Sequence, residues 1–288
     1  MSLKLKAYSA LEAVTSRALL WKLGRFLYQG ARRDLVNQPD VNGEYALFGW
    51  MGRHWREGNE PLVFLDVGAN FGCWSAQLLG ELGEARKRTT VIAFEPAPMQ
   101  AERATATLAE VAPPAMVHVR REAVAERSGT VNFAVTGNTT GNSGIAVKDT
   151  APGQISEIRC VTLDEAAADF PAIQMVKVDT EGNDYNVIAG AARLLAERRI
   201  GILQFEYNVR WIDFRRTLRD VFELIDGTGY AIGMLHQSGV DLHDEWHFEL
   251  ERFFESNWLL VRKDLIGCLP AKAFEIGRGN VPQLRNRH

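Results

Sequence analysis

Residues 64–75 read FLDVGANFGCWS. The apolar run LVFLDV (62–67) has the character of a strand buried on both faces, and it carries one acid, Asp66, near its end. Gly68 and Gly72 follow, where bare backbone can turn tightly and approach a ligand without a Cβ in the way. The helix expected after this turn points its unpaired N–H groups back at that ligand. A second strand, TVIAFE (90–95), ends in Glu95, placed to accept both hydroxyls of a ribose. Strand, glycine turn, helix and acid-tipped strand together make a nucleotide-binding unit of an α/β fold.

The alternation continues outward. MVHV (116–119), IQMVKVD (173–179), GILQFEY (201–207), YAIGML (230–235) and NWLLVR (257–262) read as strands, and helical patterns over 97–111, 184–198 and 215–227 separate several of them. VNFAV (131–135) and EIRCVTL (157–163) flank the polar loop GNTTGNSG (137–144) and read as an antiparallel insertion. The expected architecture is α/β and Rossmann-like: a mixed, mostly parallel seven-stranded sheet with helices on both faces. Residues 1–60 read as an N-terminal helical extension, 61–263 as the domain, and 264–288 as a weakly fixed polar tail.

Within the extension, Leu11, Val14, Ala18, Leu19, Leu23, Phe26 and Leu27 recur at helical spacing, with Lys and Arg on remaining positions. A basic amphipathic helix can lie on a membrane, but packing on the following domain is the commoner use and is the expectation here. No run approaches the length of a membrane span, and charges interrupt the first thirty residues where a secretory signal needs an apolar core. The 288 residues are 46% hydrophobic with a net charge of −3, so no global field draws the chain to nucleic acid, and no basic-aromatic cluster argues for RNA. Cys73, Cys160 and Cys268 form neither a disulfide framework nor a zinc ribbon. A cytoplasmic protein is expected.

The ligand is narrowed by Asn70. A dinucleotide turn wants G-x-G-x-x-G, because pyrophosphate rests on bare backbone, and here the pattern is G-x-N-x-G. S-adenosylmethionine has no pyrophosphate and tolerates a side chain there, with Asp66 facing its ammonium. NAD and a turn that binds nothing are the alternatives.

FLDVGANFGCWS, VIAFEPAP (91–98), EAVAERSGTVNF (122–133) and VTLDEAAADFPAIQMVKVDTEGNDYNVIAGA (161–191) occur in that order. Together they resemble the FkbM-type methyltransferases, a branch of the Rossmann-like S-adenosylmethionine-dependent enzymes. The resemblance covers about residues 62–207. It implies that Asp66, Gly68, Asn70, Gly72 and Ser75 hold the methionine end of the cofactor and Glu95 its ribose, with Glu122 and Ala123 near adenine. It also places Asp179 and Glu181 toward the methyl group or the acceptor. The Glu122–Ala123 pair departs from the family, where a small or amide residue often precedes the alanine.

Methyl transfer is an in-line displacement governed by positioning, and an alcohol must lose its proton as it attacks. Candidate bases sit at carboxyl ends of strands: Asp179, Glu181, Glu206 and His236. Each has a plainer reading, such as a Glu181–Lys177 ion pair or a structural partner for Glu206. Asn142 and Ser143 of the polar loop are candidates for acceptor contacts. The segment from His236 to His247 reads as an acceptor-binding loop. His243 and His247 would share a helix face at metal-ligand spacing, but no metal is expected. The resemblance favours a hydroxyl of a small molecule or sugar as acceptor. An NAD-dependent oxidoreductase and a non-catalytic nucleotide-binding protein are the rival readings.

Overall fold

All six residues of LVFLDV are buried, and they alternate between two cores: Val63, Leu65 and Val67 face one, Leu62 and Phe64 the other. That is the consequence of covering a strand on both faces. The computed structural model describes residues 2–34, 37–113, 116–135, 143–147 and 155–285. Four helices come first, α1 (Leu3–Val14), α2 (Arg17–Ala31), α3 (Pro39–Asn42) and α4 (Glu44–Arg56). The nucleotide-binding unit is β1 (Leu62–Val67), α5 (Cys73–Glu81), β2 (Thr89–Phe94), α6 (Pro98–Val111) and β3 (Val117–Arg120). Short strands follow: β4 (Ala123–Val124), β5 (Gly129–Ala134), β6 (Gly144–Ile145) and β7 (Ile155–Val161), then α7 (Leu163–Ala166). The chain continues through β8 (Ile173–Val178), α8 (Asp184–Ala189), α9 (Ala192–Ala196), β9 (Ile200–Tyr207) and α10 (Leu218–Ile225). It closes with β10 (Tyr230–His236), β11 (Gly239–His243), β12 (Ser256–Arg262), β13 (Ala271–Ile276) and β14 (Pro282–Leu284).

Among the described residues the main sheet has ten strands in the order β14-β13-β11-β10-β12-β9-β8-β1-β2-β3, which corrects the expected seven-stranded, mostly parallel sheet. Five of its nine pairings are parallel. The parallel half, β3-β2-β1-β8-β9, carries the nucleotide-binding unit, and β12 and β10 then run antiparallel beside it. The three added strands have local causes. After His236 a two-residue turn closes a hairpin in which His236 pairs with Gly239, so the histidine-bearing segment 239–243 is a strand, and His243 does not share a helix with His247. Residues 271–276, expected within a weakly fixed tail, pair in parallel with β11, and β14 pairs antiparallel with them. A second sheet, β4-β7-β5-β6, is the insertion read from the sequence.

From β1 the chain moves to β2 and β3 on one side and returns to β8 and β9 on the other. This switch opens a crevice at the carboxyl ends of β1 and β8, where open α/β sheets bind ligands. Among the described residues no helix is long and apolar enough to cross a membrane.

Candidate functional site

Asp66 is fully buried at the end of β1. Its Oδ2 accepts a hydrogen bond from Ser75 Oγ of α5 at 2.6 Å, while Oδ1 has no hydrogen-bond partner among the described residues. Burial pushes this carboxyl above the usual carboxylate range, and the Lys177 ammonium pulls against it. Lys177 is itself buried, with Nζ 3.1 Å from Asp179 Oδ2. Desolvation would lower the ammonium, but Asp179, Asp66 and Glu44 outweigh it and raise Lys177 above its ordinary value.

The turn after β1 depends on Gly68, at φ +82°, where an added Cβ would lie 1.8 Å from the carbonyl oxygen of Asp179. Only glycine lets the β1 and β8 ends close on each other here. Asn70 takes a left-handed conformation, φ +49°, and its N–H donates to Glu95 Oε2 at 2.8 Å. Glu95 Oε1 accepts from the Ala97 N–H at 2.9 Å. Burial nevertheless raises the Glu95 carboxyl to about 7.

The cleft beside these groups holds about 680 Å³ of empty space, its open mouth included. Gly68, Asn70, Glu95 and Gln100 form one wall; Glu122, Ala123, Val124, Phe133, Ser143 and Ile145 from the small sheet form the other. Glu122 is tied to Arg120 at 2.6 Å and to Arg159 at 3.1 Å. A second cavity, of about 1420 Å³ on the same measure, is lined by Asn37, Glu44, Glu206, Asn208, Arg210, Phe253, Phe254 and Glu255. Asp179 and Glu181 line both spaces.

The loop carrying those two acids is clamped by Asp184, which accepts from the Thr180 N–H at 3.3 Å and the Gly182 N–H at 3.1 Å. Glu181 sits at φ +57°, and its carboxylate pairs with Arg210. An ion pair of Glu181 with Lys177, one plain reading of the sequence, is therefore not what forms. Gly182, at φ +103°, allows this pairing, since a Cβ there would meet Arg210 Cβ at 2.7 Å. Burial, with Asp179 nearby, raises Glu181 to about 7 even against Arg210. Glu206, at the end of β9, accepts from Asn37 and from Asn208 Nδ2, the latter at 2.8 Å. Burial and the charges of Asp179, Asp184 and Glu255 raise it to about 10.

The residues expected from the sequence thus fall into three groups. Gly68, Asn70, Glu95, Glu122, Ala123, Ser143, Asp179 and Glu181 meet at the first cleft, and Glu206 faces the second. Asp66, Ser75 and Gly72 stand behind the cleft, Gly72 as the residue capping α5 against Ala104 and Leu108 of α6. His236 lines neither space: its Nε2 lies 2.9 Å from Asp241 Oδ1 and 2.9 Å from an Arg33 nitrogen. Asn142 lies outside the described residues. His243, packed beside Trp258 and Phe274, is pushed down to about 4 by burial and stays neutral, and His247 Nδ1 accepts from the Glu249 N–H.

Sequence reasoning missed a polar layer. Asn37, Asn42 and Glu44 from the helical extension bond to one another and to Asn257 of β12, which receives a bond from Gln204. Arg210 and Glu255 were missed as well. A buried-strand pattern that still contains Gln204 and Asn257 was the available signal, since buried amides require partners.

Three buried polar atoms at this end of the sheet have no hydrogen-bond partner among the described residues: Asp66 Oδ1, Asn70 Oδ1 and Thr180 Oγ1. Such atoms are costly unless a partner satisfies them, and an ammonium donor suits Asn70 Oδ1, the carbonyl-type oxygen of the residue that lines the cleft. With Glu95 available to ribose hydroxyls, the donor set fits S-adenosylmethionine.

A family model bears on this directly: the one described as the methyltransferase FkbM domain matches residues 66–252. Among solved structures, the methyltransferase FkbM from Methylobacillus flagellatus KT is similar at 15% identity and a TM-score of 0.44, covering 69% of this chain and 43% of that one. The present chain therefore spans less than half of that relative's length. An S-adenosylmethionine-dependent methyltransferase from Agrobacterium tumefaciens gives 12% identity, a TM-score of 0.40 and coverage of 76% and 62%. TrmK of M. capricolum, solved with the cofactor product S-adenosylhomocysteine, gives 8%, 0.36, and 74% and 67%. None of the curated proteins compared matches the chain. The family match, spanning well over half of the residues and containing both the glycine turn and the Asp179–Glu181 loop, carries the assignment: the chain belongs to the FkbM methyltransferase family, within the S-adenosylmethionine-dependent methyltransferases.

Proposed function

We propose that the protein transfers a methyl group from S-adenosylmethionine to a hydroxyl of a small molecule or sugar. The observation that carries this reading is the meeting of the cofactor cleft and the larger cavity at Asp179 and Glu181. When bound, S-adenosylmethionine supplies a methyl group on a sulfonium, open to in-line attack. Asn70 holds its ammonium from the cleft wall with Asp66 behind it, Glu95 holds its ribose, and Glu122 and Ala123 flank the adenine.

The acceptor then occupies the second cavity, between Glu206, Asn208 and Arg210. Burial and the neighbouring acids push the Glu206 carboxyl up, and with its hydrogen-bonded neighbour Glu255 it lines the space the acceptor occupies. Glu181, raised to about 7, is divided between its two forms at neutral pH and reaches both cavities, so it takes the hydroxyl proton. Arg210 stabilises the ionised form of Glu181 between turnovers.

The test is a screen of polyols and sugars with S-adenosylmethionine, reading S-adenosylhomocysteine release and the methylated atom by mass spectrometry. Methyl groups appearing on hydroxyl oxygen support the reading. Methyl groups found only on amines, or on carbon, refute the hydroxyl acceptor while leaving the cofactor in place. Calorimetric binding of NADH with no binding of S-adenosylhomocysteine refutes the cofactor itself.

A further inference from the structure

The first two helices of the extension do not pack as the sequence led us to expect, whereas α4 enters the core. No residue of α1 or α2 is buried. On α2, Leu19, Leu23, Phe26 and Leu27 recur at i, i+4, i+7 and i+8, the spacing of one helix face. They are 57%, 52%, 72% and 60% exposed. A stripe of four large apolar side chains is thus presented with nothing among the described residues covering it.

Beside the stripe, the helix carries Arg17, Lys22 and Arg25 together with the exposed Trp21 and Tyr28, and Arg32 and Arg33 follow its end. No acid occurs between Glu12 and Asp34, and five cations do: Arg17, Lys22, Arg25, Arg32 and Arg33. Arg32 pairs with Glu249 and Arg33 with Asp241. Arg17, Lys22 and Arg25 have no ion-pair partner among the described residues. The whole chain carries −3, so this positive charge is a local feature set against the overall sign.

The helix is also fixed in direction. Its final turn is tied to the domain through Tyr28 and Arg32 on Glu249, and the segment beyond it through Arg252 on Asp34. Arg25 lines a surface hollow beside Phe248, and the residues of the earlier turns are unburied.

We propose that α2 is an interfacial helix that docks the protein on an anionic lipid surface, the Leu19–Leu23–Phe26–Leu27 stripe entering the acyl boundary while Arg17, Lys22 and Arg25 meet lipid phosphates. A strongly amphipathic helix with a basic polar face and Leu and Phe on the other has this chemistry. At fifteen residues and with three charges, α2 lies along the surface and does not cross it. Charge selects this occupant over a second copy of the chain, which would bring a second set of the same uncompensated cations to the seam. Docking also has a consequence for the site. Phe254 lines both the larger cavity and the surface hollow formed by Arg25, Tyr28 and Phe248, so the proposed acceptor space lies next to the docking helix.

The experiment sediments the full chain with phosphatidylcholine vesicles, with and without phosphatidylglycerol. Binding is expected only with phosphatidylglycerol and is weakened by added salt. Lys22→Gln with Arg25→Gln should lower vesicle affinity about twenty-fivefold, since each basic side chain at an anionic surface contributes about fivefold. Leu23→Ser with Phe26→Ser should abolish it. Both double variants should bind S-adenosylhomocysteine as the parent does, which shows that they fold. No binding to anionic vesicles at low salt overturns the proposal, as does equal binding to neutral vesicles. A dimer in light scattering that becomes monomeric in the Leu23→Ser, Phe26→Ser variant also overturns it, assigning the stripe to a contact between copies.

Discussion

Lys177 Nζ lies 3.1 Å from Asp179 Oδ2, and the same ammonium is the nearest compensating charge for the fully buried Asp66. One cation on β8 therefore allows two acids to stand at neighbouring strand ends. Replacing it leaves Asp66 as a buried charge without its counterion, and such losses cost several kcal/mol. Lys177→Met is expected to destabilise the fold by about 3–5 kcal/mol in urea denaturation. A loss below about 1 kcal/mol would show that Asp66 does not depend on this cation.

Glu95 accepts two backbone N–H groups, from Asn70 and Ala97, and still faces the cleft. Carboxylate oxygens have further lone pairs, and those are the ones a ribose would use. Glu95→Gln keeps the shape and one carbonyl acceptor but loses the charge. Its affinity for S-adenosylhomocysteine should fall by about 1–3 kcal/mol, the value of a charge-assisted hydrogen bond. Calorimetry reads this directly, with NADH as control, and an affinity within twofold of the parent removes Glu95 from the ribose site.

What the sequence disclosed and what it hid follow a physical division. FLDVGANFGCWS, the acid-tipped strand and the MVKVDTEG loop are local: propensity and burial act on consecutive residues, so the pattern is visible within a dozen positions. AKAFEI (271–276) has only six residues of alternation, and its partner β11 lies in a histidine-rich polar segment that reads as a loop, so the strand count from sequence falls short. The polar layer is wholly non-local. Asn37 reaches Asn257 and Glu255, more than two hundred residues away, and no periodicity records such a contact. Arg210 reaches Glu181 across a turn that Gly182 makes possible, and neither residue signals the other in sequence. His236 misleads for the opposite reason: a histidine at a strand end looks catalytic, while its charge partners, Arg33 and Asp241, come from distant or unanticipated elements.

Burial sets the pH dependence of stability. Glu95, Glu181 and Asp184 are each raised to about 7, from ordinary values of 4.5, 4.5 and 3.8. Between the unfolded values and about 7 the native state holds more protons than the unfolded chain, so stability falls as pH rises. The contribution is fully present below the ordinary carboxylate values and is lost as pH climbs through about 7. Glu206, raised to about 10, extends the decline. At about 1.4 kcal/mol per pKa unit, the three shifts that end near 7 sum to a loss on the order of 10 kcal/mol. Urea midpoints should therefore be higher near pH 5 than near pH 8. A midpoint that increases over that range contradicts the buried-carboxylate account.

Arg210 offers the sharpest test of the proton acceptor. Its guanidinium pairs with Glu181 and opposes the rise that burial and Asp179 impose on that carboxyl. If Glu181 takes the acceptor's proton, activity should increase with pH through about 7, as the carboxylate form appears. Arg210→Gln removes the opposing charge, so the same rising limb should move to higher pH. Glu181→Gln should lower kcat by about 10²–10⁴-fold, the range for loss of a general base, and flatten that limb. S-adenosylhomocysteine affinity serves as the control, because neither substitution touches the Asp66–Asn70 end of the cleft. An unchanged rising limb in Arg210→Gln, in an enzyme that still binds cofactor normally, would mean that another group accepts the proton. Asp179 is then the residue to substitute next, since among the described residues it alone shares with Glu181 the boundary between the two cavities.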